Sequence, residues 1–140
     1  IGITSMKLAT EEIEGMGFAI PINDVKNYVT YLEKGEEIKR PSIGISVINT
    51  SDRYSLYMNN ISVNTSETGV VIAKVESGCS AEKAGLKKGD IITKFDDNKV
   101  TSISTLRYYL YQYKTGDTIK VTYIRDGKES TLDMKLIEKN

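Results

Sequence analysis

Histidine is absent from this 140-residue sequence, and its absence limits the chemistry that the many serines can perform. Without a histidine, neither a Ser-His-Asp triad nor a histidine general base can be built within the chain. A Ser/Lys dyad would be the remaining route to an activated serine, and no Ser and Lys spacing in the sequence supports one. We therefore predict no catalytic residues in this chain.

Metal and cofactor sites are not expected either. The single cysteine, Cys79, excludes an internal disulfide and a thiolate zinc cage. Cys79 lies in the polar segment 77–80 with no neighbouring base, so an unreactive thiol is favoured. Asp96-Asp97-Asn98 could begin a calcium loop, but the Gly and the bidentate Glu needed further on are missing. Gly15-Met16-Gly17 lacks the third glycine of a phosphate cradle.

The charge balance argues against a nucleic-acid partner. Nineteen Lys and Arg match nineteen Asp and Glu, which gives a formal net charge of zero. A nucleic-acid site would need clustered, uncompensated Lys and Arg that displace counterions. The sequence also contains no apolar run long enough to span a bilayer.

The turn Pro41-Ser42-Ile43-Gly44 suggests a different kind of ligand. Its successive backbone amides could point at a carboxylate, and Gly44 would allow a close approach. The predicted strand Ile43–Val47 follows a proline and the charged segment 36–40, so one of its edges can stay unpaired. An unpaired strand edge accepts an extended peptide as an added strand. The turn and strand therefore favour a peptide ligand with a terminal carboxylate.

A helix late in the chain is expected beside this strand. Thr101 or Ser102 can cap it, Gly116-Asp117 is expected to close it, and its apolar residues lie within about 80° of one another at 100° per residue. Those residues are Ile103, Leu106, Leu110 and Tyr113. For the tyrosines of this helix, two interpretations stay open: Tyr113 and Tyr109 pack on the core while the others cover the surface, or one flank contacts a ligand.

The other predicted elements position the strand Ile43–Val47 and the late helix. Strands are predicted at Gly69–Val75 and Ile91–Phe95, a short helix at Ser80–Ala84, and a final hairpin around Asp126-Gly127. The polar segment 49–68 is predicted to be a long loop with room for one helical turn. At the N-terminus, two strands (1–6 and 17–22) precede a helix over 25–32.

Several of these segments resemble a known family. Ser42-Ile43-Gly44-Ile45 looks like the carboxylate-binding loop of PDZ domains, and the run SAEKAGLKKGDII (80–92) closely resembles the SPAxxAGLxxGDxI signature of bacterial PDZ domains. Asn98-Lys99-Val100, Leu106-Arg107 and the segment 124–128 continue the match in order. The resemblance covers residues 40 to 138. Cys79-Ser80 departs from the usual Ser-Pro of the family, which should loosen the turn before the short helix.

The N-terminal part is similar to the end of the trypsin-like protease domain in HtrA/Deg serine proteases. Its segment EGMGFAIP (14–21) resembles the GxGFAIP strand, which lines the primary specificity pocket in that family. The family's catalytic Ser, His and Asp lie upstream of this strand. We therefore interpret residues 1–35 as the last strands and helix of a protease domain, and residues 36–140 as a PDZ domain.

The resemblance implies a mainly β fold (α+β) with two helices. The expected architecture is a circularly permuted PDZ domain, a small, partly open β-barrel of five or six strands, preceded by a fragment of a trypsin-like β-barrel. The implied function is peptide binding for a serine endopeptidase of protein quality control, with capture of hydrophobic C-termini of misfolded or unfolded proteins. The implied partners are those peptides and the parent's own protease domain, and a homo-oligomer of the parent stays open.

The same resemblance implies an extracytoplasmic location, at the cell surface or in the periplasm, with any N-terminal membrane anchor outside this chain. Two alternatives remain. A non-proteolytic PDZ adaptor that scaffolds an extracytoplasmic complex would have no reason to carry residues 1–22. The PDZ domain of an intramembrane metalloprotease would be flanked by apolar spans, which neither end of this sequence resembles.

The predicted peptide groove lies between the strand and the late helix. A peptide should add antiparallel to residues 43–46, with its carboxylate on the amides of Ile43, Gly44 and Ile45 and its last side chain among apolar residues of both elements. Arg107 and Tyr111 lie to one side of Ile103 on the helix wheel and are predicted at the groove edge. The full predicted set is Ser42, Ile43, Gly44, Ile45, Ser46, Ile103, Leu106, Arg107, Leu110 and Tyr111.

Overall fold

The computed structural model of the chain describes residues 2–10, 13–22, 29, 33, 35, 41–63 and 66–138, with the backbone alone for residues 2–21 and 138. The chain divides into two compact units, Ile1–Ile38 and Lys39–Asn140. Within the described ranges, no helix is both long and apolar enough to cross a bilayer.

The first unit contains an antiparallel hairpin of two nine-residue strands, β1 (Gly2–Thr10) and β2 (Ile13–Pro21). Both strands were predicted, and both are longer than the apolar runs that indicated them. The predicted helix over 25–32 lies almost wholly outside the described residues, although Ile22, Val29 and Glu33 have helical backbone. The hairpin thus confirms the predicted strand pair of this unit.

The second unit contains eight strands and three helices in its described part. They are β3 (Pro41–Ser42), β4 (Ile45–Asn49), α1 (Arg53–Met58), β5 (Val70–Val75), α2 (Ser80–Ala84), β6 (Ile91–Phe95), β7 (Asn98–Lys99), α3 (Ile103–Leu110), β8 (Thr118–Arg125), β9 (Lys128–Lys135) and β10 (Ile137–Glu138). Six strands form an open antiparallel sheet in the order β4-β5-β6-β8-β9, with β7 on β6, while β3 pairs separately with β10. The predicted mainly β fold is confirmed, and the six strands of this sheet agree with the expected five or six.

Two helix predictions need correction. The expected count of two helices omitted α1, which occupies the polar segment predicted as a loop with room for one helical turn. Asp52 supplies the signal for its start, because the Asp52 side chain accepts a hydrogen bond from the Ser55 N–H. Helix α3 ends at Leu110 rather than near Gly116, so Tyr113 contacts the core from the turn that follows the helix.

Helix α1 explains why β5 begins with four consecutive apolar residues, 70–73. Val70 and Ile72 pack into the main core, whereas Val71 faces the opposite side of the sheet and packs with Leu56 of α1 and Ile61. The strand is therefore buried on both faces, which removes the alternation of polar and apolar residues expected for a half-exposed strand. The prediction of a buried strand at this position is confirmed.

An ion pair with a buried carboxylate ties the end of β8 to the turn before β6. Asp90 is 1% exposed, and its two carboxylate oxygens accept hydrogen bonds of 2.7 Å from Nε and Nη2 of Arg125. The Lys87 N–H donates to the same carboxylate, and Arg125 Nη2 also donates to the Gly85 carbonyl. The hydrogen bond with Asp90 raises the pKa of Arg125 above its ordinary value. The pair holds the predicted Gly89-Asp90 turn in place.

Candidate functional site

Strand β4 lies at the end of the sheet order. It pairs with β5 on one side, and no strand pairs with its other side in the described part of the chain. It begins at Ile45, two residues later than predicted, so Ile43 and Gly44 belong to the turn between β3 and β4. The exposed Ser46 lies within β4. An unpaired edge was predicted for this strand, and the sheet order provides one.

Three successive carbonyl groups of this turn are held by the segment 76–81. The donor and acceptor pairs are Ser80 Oγ to the Ser42 carbonyl (3.2 Å), the Ala81 N–H to the Ile43 carbonyl (3.1 Å), and the Glu76 N–H to the Gly44 carbonyl (2.9 Å). In a trans peptide unit, C=O and N–H point in opposite directions. The amides of Ile43, Gly44 and Ile45, which share peptide units with these carbonyls, therefore point away from the segment 76–81.

The conformation of Gly44 makes this arrangement possible. Its φ of 68° lies in the left-handed region, which glycine adopts without the steric cost of a side chain. The amides of Ile43 and Gly44 donate to no acceptor among the residues that the structure describes. The turn thus presents hydrogen-bond donors of the kind that a carboxylate accepts.

Cys79 packs directly behind the turn. A Cβ atom at Gly44 would lie 2.8 Å from Cys79 Sγ, so only glycine fits at this position. Cys79 is 8% exposed and caps α2, because its Sγ accepts a hydrogen bond from the Glu82 N–H (3.3 Å). This cap closes the turn at which Cys79-Ser80 replaces Ser-Pro, and the expected loosening of the turn stays a prediction.

Helix α3 is anchored at its N-terminus to the end of β4. The Ile103 N–H donates to Asn49 Oδ1 (2.9 Å), and Ser102 caps the helix in a reciprocal capping box with Thr105. These bonds satisfy N–H groups of the first turn that have no partner within the helix. The helix and the strand edge are therefore joined at one end.

The apolar residues of the predicted groove differ in depth. Ile43 (4% exposed), Leu106 (4%) and Leu110 (7%) are core residues, whereas Ile45 and Ile103 are half-buried and pack against that core. Because Ile43, Leu106 and Leu110 are almost fully buried, they can supply only the floor of a groove. Ile45 and Ile103 are the accessible apolar side chains of the predicted set.

The predicted groove-edge residues Arg107 and Tyr111 lie at the surface. Arg107 is exposed, and Tyr111, at the C-terminal end of α3, is 38% exposed. Tyr109 and Tyr113 pack against the core, as one of the two interpretations predicted, and Tyr108 is exposed. Arg107 and Tyr111 thus have the exposure that a groove-edge role requires.

Sequence reasoning missed two residues that position this site. Asn49 is 54 residues from Ile103, and a lone Asn at a strand end gives no signal for such a bond. The place of Ser80 at the start of the predicted helix Ser80–Ala84 does not indicate its second role: its hydroxyl accepts a hydrogen bond from the Ile137 N–H (2.9 Å) and donates to the Ser42 carbonyl. The sequence signal for this role is that Ser80 occupies the position of the proline in the family signature.

Sequence comparisons identify the family of this chain. The family model described as "PDZ domain" matches residues 41–136. The chain is 46% identical over 142 residues to the serine protease Do-like HtrA of Lactococcus lactis subsp. lactis strain IL1403, covering 97% of this chain and 35% of that protein. It is 41% identical over 143 residues to the serine protease Do-like HtrA of Bacillus subtilis strain 168, covering 99% and 32%. The chain spans about a third of the length of these relatives.

Solved structures share the fold. The HtrA-type protease AlgW with decapeptide matches with a TM-score of 0.78 at 20% identity, over 100% of this chain and 42% of that chain. The serine endoprotease from Yersinia pestis matches with a TM-score of 0.69 at 25% identity, over 99% and 43%. The predicted PDZ fold and the resemblance to HtrA/Deg proteases are confirmed: the chain belongs to the PDZ domain family, and it is homologous to Do-like HtrA serine proteases.

Proposed function

We propose that this chain is the peptide-binding regulatory part of an HtrA-like serine endopeptidase, which captures hydrophobic C-termini of misfolded or unfolded proteins for protein quality control. The single observation that carries the proposal is the turn after β3. Its three inward carbonyls direct the amides of Ile43, Gly44 and Ile45 outward, beside the unpaired edge of β4. A chain terminus is the part of a peptide that supplies both a carboxylate for these donors and a strand for this edge.

The apolar surroundings favour a hydrophobic last residue. Ile45 and Ile103 are half-buried over a floor that includes Leu106 and Leu110. An aliphatic or aromatic side chain would lose water on entering this region, whereas a charged side chain would lose hydration without a partner. Misfolded proteins expose such hydrophobic ends, and native proteins mostly bury them.

The homology supports the protease context over a PDZ adaptor. The match to Do-like HtrA proteases covers 97% of this chain and therefore includes most of residues 1–38 together with the PDZ region. Solved structures of AlgW with a decapeptide and with a tripeptide have the same fold. In the proposed parent protein, the catalytic residues lie outside this chain, the partners are the captured peptides and its own protease domain, and the location is extracytoplasmic.

Calorimetric titration tests the proposal. Short peptides ending in Val, Leu or Phe should bind with micromolar dissociation constants, and each C-terminally amidated counterpart should bind about tenfold more weakly or worse, because it lacks the carboxylate charge. A peptide ending in Asp is the matched control for the apolar site. Equal affinity for free and amidated ends would contradict the proposal, since the turn would then have no role in binding.

A further inference from the structure

Ser80 connects the proposed carboxylate-binding turn to the C-terminal strand. Its hydroxyl donates to the Ser42 carbonyl (3.2 Å) and accepts from the Ile137 N–H (2.9 Å). The side chain is 1% exposed, so water cannot readily replace either bond. Ser42 and Ile137 also face each other as paired residues of β3 and β10.

The bonds form a continuous chain with one direction. It runs from the Ile137 N–H to Ser80 Oγ, from the Ser80 hydroxyl to the Ser42 carbonyl, and across that peptide unit to the Ile43 N–H. A hydroxyl that donates a stronger bond becomes a better acceptor, and bonds in such a chain strengthen one another in a low-dielectric interior. A carboxylate on the Ile43 N–H would therefore strengthen the bond at Ile137.

We infer that Ser80 is a positioning residue that couples occupancy of the carboxylate-binding turn to the pairing of β10 with β3. This inference rests on the proposed function. The coupling is reciprocal, so the docked strand β10 increases the affinity of the turn for a carboxylate by the same factor. The proline of the family signature cannot perform this role, because its side chain has no hydroxyl.

Amide hydrogen exchange of the whole chain tests the coupling. A saturating peptide that ends in a free carboxylate should slow exchange at the Ile137 amide by about fivefold, the lower end of typical coupling factors. The amidated peptide, at equal saturation, should slow it less. The Leu132 amide in β9 is the internal control, because general stabilisation by a ligand would slow both amides alike.

Two variants separate positioning from folding. Ser80→Ala should weaken binding of the carboxylate peptide by about fivefold, weaken binding of the amidated peptide less, and abolish the peptide effect at Ile137. Ser104→Ala removes an exposed serine hydroxyl from α3 and should change none of these. If Ser80→Ala does not fold, the exchange measurement on the natural sequence still tests the coupling, because equal protection of Ile137 and Leu132 would overturn it.

The outcomes distinguish the two proposals. Equal binding of free and amidated peptides overturns the proposed function and, with it, the coupling. A clear carboxylate preference without selective protection of Ile137 overturns the coupling and leaves the proposed function standing. Selective protection that persists in Ser80→Ala also overturns the assigned role of Ser80.

Discussion

Asn49 and Ile103 join the two walls of the proposed peptide groove. Asn49 Oδ1, at the last residue of β4, accepts a 2.9 Å hydrogen bond from the Ile103 N–H, at the first residue of α3. The bond acts as a cap on the helix from a distant part of the chain, and it fixes the spacing of strand and helix at that end.

Replacing Asn49 should therefore affect both stability and binding. Asn49→Ala should lower the free energy of unfolding by about 1 kcal/mol and weaken peptide binding several-fold, because one hydrogen bond and the fixed spacing are lost. Asn49→Asp keeps the acceptor oxygen and should preserve both properties. Urea unfolding and calorimetry provide the two measurements, and equal losses in the two variants would show that the hydrogen bond is not responsible.

Gly44 should tolerate no side chain. Gly44→Ala places a Cβ against Cys79 and also puts a non-glycine residue at a φ of 68°. The left-handed backbone costs about 1 kcal/mol and the overpacking about 1 to 3 kcal/mol more, so stability and peptide affinity should both fall.

Gly78→Ala is the matched control for that variant. Gly78 has a φ of 75°, but a Cβ atom there would meet nothing within 4 Å. In urea unfolding, Gly78→Ala should lower the free energy of unfolding only by the cost of a left-handed backbone at a non-glycine residue. If the two variants are equally stable, the contact between the turn and Cys79 does not constrain position 44.

Replacing Asp90 and replacing Arg125 should lower the free energy of unfolding by different amounts. Arg125→Met leaves a carboxylate that is 1% exposed without its charged partner and should cost about 3 kcal/mol. Asp90→Asn leaves an Arg side chain that is 33% exposed and can be hydrated, so it should cost about 1 to 2 kcal/mol. Urea unfolding of both variants checks the order, and a larger loss in Asp90→Asn would contradict the explanation.

Tyr113 should make stability depend on alkaline pH. Burial, followed by its hydrogen bond to Asp96, raises the pKa of Tyr113 from 10.0 to about 12. The folded state thus retains this proton at pH values where the unfolded state has lost it. The resulting stabilisation is complete below about pH 10 and is lost as the pH rises toward 12.

Tyr113→Phe provides the comparison for that pH dependence. The stability advantage of the natural sequence over Tyr113→Phe should be constant in neutral solution and should shrink between about pH 10 and pH 12. Urea unfolding across this range measures it. An advantage that stays constant up to pH 12 would show that Tyr113 titrates alike in both states.

Arg107 should influence peptide preference more than stability. Its side chain is exposed on α3, so Arg107→Ala should change the free energy of unfolding by less than about 0.5 kcal/mol. At the groove edge, its removal should change affinity by up to about fivefold, most for peptides with an acidic residue before the last one. Lys99→Ala, an exposed cation on β7, is the control, and an equal response of both variants would exclude a groove-edge role.

Elements with local sequence signals could be predicted before the fold was known. The hairpin of β8 and β9 turns at Asp126-Gly127, where both residues have positive φ as the hairpin turn requires. Helix α2 has the predicted bounds, and Ser102, one of the two predicted caps, is the residue that caps α3. Each of these features depends on residues within a few positions of one another, and this allowed a short motif to specify them.

The hydrogen bonds that hold the proposed site could not be predicted in this way, because they join distant parts of the chain. The bonds that orient the turn link residues 42–44 to residues 76–81, and Asn49 reaches a helix 54 residues later. A sequence pattern does not indicate which distant residues form these hydrogen bonds, because each bond depends on the registers of several strands at once. The depth of Ile43, Leu106 and Leu110 was likewise set by packing: a helical period shows which residues share a face but not how far that face is buried.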